Sequence, residues 1–171
     1  ANQATFVCAA DVDGDSDMDI IYVSTTIAWH ENLDGQGTFG SQQFIATNAF
    51  QARTLAVTDF DSDGDVDLLT SVPITGNIVW YENIDGQGSF SARSISTSLG
   101  SNSIFAADID GDADKDVIIS SSNNLIAWYE NTDGQGTLGS QQIITTNVNL
   151  ATDVYAIDID NDGDLDVISA S

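Results

Sequence analysis

Positive charge is almost missing from this 171-residue chain: Arg53, Arg93 and Lys115 face 27 acidic residues, for a formal net charge of -24. A field of that sign repels nucleic-acid phosphates and anionic lipid, and no basic stripe reverses it, so nucleic acid is excluded as a partner. With Cys8 as the only cysteine, no internal disulfide can form. No apolar run approaches the roughly 20 residues of a membrane span, which excludes membrane insertion by a helix. No basic-then-apolar leader opens the chain, and a start at Ala1 reads as a processed or excised product. There is one histidine, His30, and no GxSxG elbow, HExxH pair or phosphate loop. The expectation is therefore a protein that is not an enzyme.

What the chain does have is aspartate, and it is concentrated. Twenty of the 27 acidic residues fall in four clusters, each with five aspartates on alternate positions. They are Asp11, Asp13, Asp15, Asp17 and Asp19; Asp59, Asp61, Asp63, Asp65 and Asp67; Asp108, Asp110, Asp112, Asp114 and Asp116; and Asp158, Asp160, Asp162, Asp164 and Asp166. Two carboxylates about 4 Å apart repel by roughly 4 kcal/mol at an effective dielectric near 20. The chain cannot neutralise these loops itself, so the counter-charge expected among them is a metal ion.

The clusters begin at Asp11, Asp59, Asp108 and Asp158, which are 48, 49 and 50 residues apart. Between them a second phrase recurs: "IAWHENLDGQGTFGSQQFI", "IVWYENIDGQGSFSARSI" and "IAWYENTDGQGTLGSQQII". The repeats run over roughly 5–50, 53–99, 103–149 and a partial 153–171, taken together as one repeat domain. Each full unit reads as four short strands. One precedes the Asp cluster, one follows it, one carries the Trp phrase, and one follows the "DGQG" hairpin turn. The expected fold class is all-β, with β-propeller blades of four antiparallel strands, about three and a half blades in all.

Asp-rich loop, short strand, "WYEN" and "DGQGTFG" at one period resemble the FG-GAP/VCBS repeat family, which includes the blades of integrin α-subunit propellers. The resemblance covers essentially the whole chain. It implies calcium in the loop joining the first and second strands of each blade, up to four Ca2+ here. It also implies an extracellular, secreted or cell-surface setting with a structural or adhesive role.

The residues are consistent with that chemistry. A hard cation takes six to eight oxygens at about 2.3–2.6 Å. Aspartates at loop positions 1, 3 and 5 can converge, a glycine at 6 turns the chain, position 7 offers its carbonyl, and the aspartate at 9 closes the shell. Gly64 and Gly163 occupy position 6, whereas Ser16 and Ala113 stand there in the first and third loops, with Gly14 and Gly111 at position 4. A different geometry is therefore expected in those two loops. An EF-hand would need an acidic residue at position 12, where Tyr22, Thr70, Ile119 and Ser169 stand instead.

Trp29, Trp80 and Trp128 sit mid-strand and read as packing between blades. His30 fills the slot held later by Tyr81 and Tyr129, and Cys8 the slot of Ala56, Phe105 and Tyr155, so both read as structural. Glu31, Glu82 and Glu130, each followed by an asparagine, read as satisfying turn or backbone groups. The partners expected are further repeats of the same kind, in a longer chain or an assembly, because a partial last unit leaves strand edges unpaired. Simple two-chain closure to seven blades fails, because neither chain supplies the missing third and fourth strands. Two other readings stay open: a lectin-like module binding a glycan or protein ligand, and a non-catalytic part of a polysaccharide-acting enzyme.

Overall fold

The computed structural model describes residues 4–49, 52–72, 77–96, 101–121 and 123–171. Fourteen strands and no helix occur among them. The first sheet has the order β1-β2-β3-β4, from Phe6–Ala10, Asp19–Val23, Ile27–His30 and Gln43–Ala46. The second repeats it with β5 Leu55–Thr58, β6 Asp67–Val72, β7 Asn77–Asn83 and β8 Phe90–Ser96. The third uses β9 Ser101–Ala107, β10 Asp116–Ser121, β11 Leu125–Tyr129 and β12 Gln142–Thr145. A last pair, β13 Asp153–Ile157 with β14 Asp166–Ala170, forms half a unit. All pairings are antiparallel between sequence neighbours, so each sheet is a meander. This is the expected all-β arrangement of propeller blades, left open rather than closed into a ring.

The strands form where β-branched and aromatic residues can cover both faces of a sheet. β6 and β10 are buried on successive residues, as befits a middle strand with a neighbouring sheet on either side. The core lies between sheets. Val12, Ile21 and Trp29 of the first blade pack with Leu55, Leu68 and Tyr81 of the second. Phe60, Leu69 and Trp80 of the second meet Ile104, Val117 and Tyr129 of the third. Ile118 and Ile126 of the third meet Val154 and Ala156 of the half-blade, with Trp128 packed against them. Trp29 and Trp80 are fully buried, and truncating such an indole costs about 3–5 kcal/mol. Cys8 packs against the first of these clusters, and burial pushes its thiol up to about 11, far from the thiolate a nucleophile needs.

The meander decides where the loops go. Joining strands one to two and three to four places both connections at the same end of every blade. The Asp clusters and the "DGQG" turns therefore share one rim.

Candidate metal centre

Each Asp cluster coils around its own first carboxylate. Asp11 accepts from the amides of Gly14 and Ser16, both at 2.9 Å. Asp59 accepts from Asp63 and Gly64, Asp108 from Gly111, Asp112 and Ala113, and Asp158 from Asn161 and Gly163. The carboxylate at position 5 then accepts the amide of position 7, at 2.8–3.0 Å, in all four loops.

Positions 4 and 6 both need the left-handed region in every loop. The first loop has φ 75° at Gly14 and 76° at Ser16, and the second has 62° at Ser62 and 97° at Gly64. The third has 82° at Gly111 and 81° at Ala113, the fourth 63° at Asn161 and 99° at Gly163. Each loop thus places its one glycine at either of two equivalent bends and tolerates a side chain at the other. The different geometry expected for the first and third loops is absent from the backbone. The amides aimed at Asp11 and Asp108 hold Ser16 and Ala113 in the same curl.

Position 9 faces inward. Asp19, Asp67 and Asp116 are fully buried, and each spans two backbone segments. One oxygen accepts from the amide at position 2, Val12, Phe60 or Ile109. The other accepts from the amide of Asn32, Asn83 or Asn131 in the Trp phrase. In the half-blade, which carries no such phrase, Asp166 holds Ile159 alone and is exposed. At position 7, Asp17, Asp65 and Asp114 lay their carboxylates on the first glycine of the hairpin turn. A Cβ at Gly35, Gly86 or Gly134 would overlap them.

The oxygens that converge are a subset of the acidic residues. Atoms of Asp11, Asp13 and Asp15 lie within 4.8 Å of one another, as do those of Asp59, Asp61 and Asp63. In the third loop the close set is Asp108, Asp110 and Asp116, and a second is Asp110, Asp112 and Glu130; in the fourth it is Asp158, Asp160 and Asp166. Asp13 Oδ1 and Asp61 Oδ1 are buried oxygens with no hydrogen-bond partner. Burial, together with the charges of Asp19, Asp15 and Glu31, holds the Asp13 carboxyl above its ordinary range. Burial also raises Asp61, helped by the charge of Asp63. An all-carboxylate donor set with orphaned oxygens suits a hard divalent cation such as calcium, and these residues fit one.

The sequence profile described as FG-GAP-like repeat matches residues 11–70, 71–119 and 108–169. The chain belongs to the FG-GAP-like repeat family. No curated protein matches it. Among solved structures, a lectin of Agrocybe aegerita, described as recognising non-reducing terminal N-acetylglucosamine, superposes with a TM-score of 0.68 at 20% identity. The match covers 94% of this chain and 45% of the lectin. The Photorhabdus luminescens Tc holotoxin pore superposes with a TM-score of 0.60 at 14% identity, over 95% of this chain and 8% of that one. At these identities the likeness is one of fold. The chain spans less than half the length of either structure.

Two features of these FG-GAP-like repeats lie beyond what the residue pattern suggests. Glu130 comes within reach of the third loop, whereas Glu82 is turned to Arg93 at 2.6 Å, with the guanidinium 4.9 Å from the Trp80 ring centroid. A glutamate two residues after the tryptophan, at the strand end beside the Asp loop, is the only signal the sequence offers. The second feature is the asparagine of the Trp phrase, which ties blades together. Asn83 Nδ2 donates to Val12 O at 2.9 Å, and Asn131 Nδ2 to Phe60 O at 3.1 Å, each reaching the Asp loop of the preceding blade. Their Oδ1 atoms accept from Gly88 and Gly136 in the hairpin turns. Those glycines lie against the preceding blade's indole, where a Cβ would come 2.5 Å from Trp29 Cζ2 or 2.6 Å from Trp80 Cζ3.

Proposed function

We propose that this chain is a calcium-stabilised, extracellular FG-GAP-like module with a structural or adhesive role, taking up to four Ca2+, one per Asp loop. The observation that carries the reading is the convergence of three carboxylates in each loop, with orphaned oxygens on Asp13 and Asp61. Without a cation the loops oppose their own curl; with one, the repulsion becomes ligation. Asp11, Asp13, Asp15, Asp59, Asp61 and Asp63 are the ligands best supported in the first two loops. Asp108, Asp110 and Asp116, and Asp158, Asp160 and Asp166, are those in the others. Asp17, Asp65 and Asp114 serve through backbone while their side chains brace the hairpins. An extracellular setting supplies millimolar calcium, enough to fill sites of modest affinity.

The role proposed is binding rather than catalysis. The buried aspartates at position 9 are engaged by amides, the His30 ring meets the Gly40 carbonyl at 3.0 Å, and the Cys8 thiol is suppressed by burial. Calorimetry with added calcium and with a chelator tests the metal reading, alongside elemental analysis. Calcium should raise the melting temperature, and an unchanged transition with no bound metal would overturn it. The fold shared with an N-acetylglucosamine-recognising lectin favours a glycan as the second reading. A glycan array including N-acetylglucosamine-terminated chains tests it, and an empty array returns the module to a structural role.

A further inference from the structure

In each Trp phrase a glutamate stands two residues after the tryptophan, and the blades do not treat it alike. In the third blade a carboxylate oxygen of Glu130 lies within 4.8 Å of oxygens of Asp110 and Asp112. Asp110 joins that set to the one it forms with Asp108 and Asp116, so five carboxylates gather at the third loop. In the second blade the close set is Asp59, Asp61 and Asp63, without Glu82. Glu82 instead meets the Arg93 guanidinium at 2.6 Å, with only 16% of its side chain exposed.

The neighbouring strand sets this difference. Trp29, Trp80 and Trp128 pair across their sheets with Gln43, Arg93 and Gln142. The second blade therefore has a cation where the other two have a neutral amide. Arg93 lies 4.9 Å from the Trp80 ring centroid, a contact that steadies the guanidinium beside Glu82. Meanwhile the second loop keeps a buried Asp61 Oδ1 with no hydrogen-bond partner, an acceptor that calls for a cation.

We propose that Glu130 is a ligand of the third calcium site, and that Arg93, by holding Glu82, denies the second site the same ligand. The second site is then the weaker of the two. This inference rests on the calcium reading of the Asp loops. Calcium affinity in oxygen sites follows the charge count of the ligands and the rigidity of the site. Five candidate carboxylates against three put the third loop ahead. Lys115 does not reverse the order, because it makes no ion pair with them among the described residues.

A calcium titration of the 171-residue chain followed by amide NMR tests it. The Gly64 and Ala113 amides, which donate to Asp59 and Asp108, report the second and third loops. The Ala113 signal should reach its midpoint at the lower calcium concentration. Glu130→Gln should raise the Ala113 midpoint about 10-fold or more and leave that of Gly64 in place. Arg93→Gln introduces the residue type of the other two blades and should lower the Gly64 midpoint. Adding Glu82→Gln to it restores the wild-type net charge and should cancel the gain, a dependence that comparison of the single and double variants reads directly. Melting curves in chelator check that each variant folds. An Ala113 midpoint unmoved by Glu130→Gln would sink the inference while the calcium reading stands. So would a Gly64 midpoint unmoved by Arg93→Gln, or a gain that survives the loss of Glu82. Amides that ignore calcium in every loop would overturn both.

Discussion

Ala113 holds φ 81° at a bend where the second and fourth loops use glycine. A left-handed L-residue costs about 1–2 kcal/mol, and glycine returns about half of that as lost chain entropy. Ala113→Gly should therefore stabilise the protein by about 0.5–1 kcal/mol, read as a shift in the urea midpoint. Two aspartates of the second loop should respond differently. Asp67→Ala strands the buried amides of Phe60 and Asn83, so it should lose about 2–4 kcal/mol with or without calcium. Asp61→Asn removes repulsion, so it should leave the chelated protein no less stable while reducing the gain from calcium. Melting curves with and without chelator read both, and equal behaviour of the two variants would remove the distinction. The alternation of aspartates made the loops legible in the sequence. It could not say which carboxylates turn inward, because a coiled loop has no period of two. Asp19 and Asp67 look like their neighbours in the chain, yet they serve amides.

Within an element, the hairpin after the Trp phrase carries a built-in comparison. Gly37, Gly88 and Gly136 have φ of 91°, 84° and 85°, but only the last two lie against an indole. Gly37→Ala should cost about 0.5–1 kcal/mol, the same backbone balance as at Ala113 and nothing more. Gly88→Ala should cost a further 1–3 kcal/mol for forcing Trp29 aside, and a denaturation series across the two variants checks the gap. The strands were readable because β-branched runs form them, with an Asp cluster between the first and second of each unit and a "DGQG" turn between the third and fourth. The links between blades were not, because Asn83 and Asn131 find their carbonyls 71 residues away and no local pattern encodes such a reach. The tryptophans were legible as packing between blades from their apolar neighbours alone, and Trp29 and Trp80 are buried in those joints.

For the whole molecule, charge sets the response to pH. Burial raises the Asp67 carboxyl to about 6, and burial with like charge raises Asp13, Asp61 and Asp116 as well. The folded chain thus holds protons more tightly than the unfolded chain between about pH 4 and pH 6, and its stability increases as pH falls through that window. Hydrogen bonds lower Asp34, Asp85 and Asp133, which act in the opposite sense only below that range. Chelated protein should therefore melt higher near pH 5 than at pH 7. With calcium the order should reverse, as protons compete for the ligands; a chelated profile that falls on acidification would contradict the first half. The meander has a mechanical consequence. Each sheet is made from one continuous stretch of chain, so tension applied to the two ends can peel a blade away without unthreading its neighbours. With 48 to 50 residues between successive loops, each rupture should release about 165 Å of extended backbone, giving a sawtooth of near-equal steps under an optical or atomic-force tether.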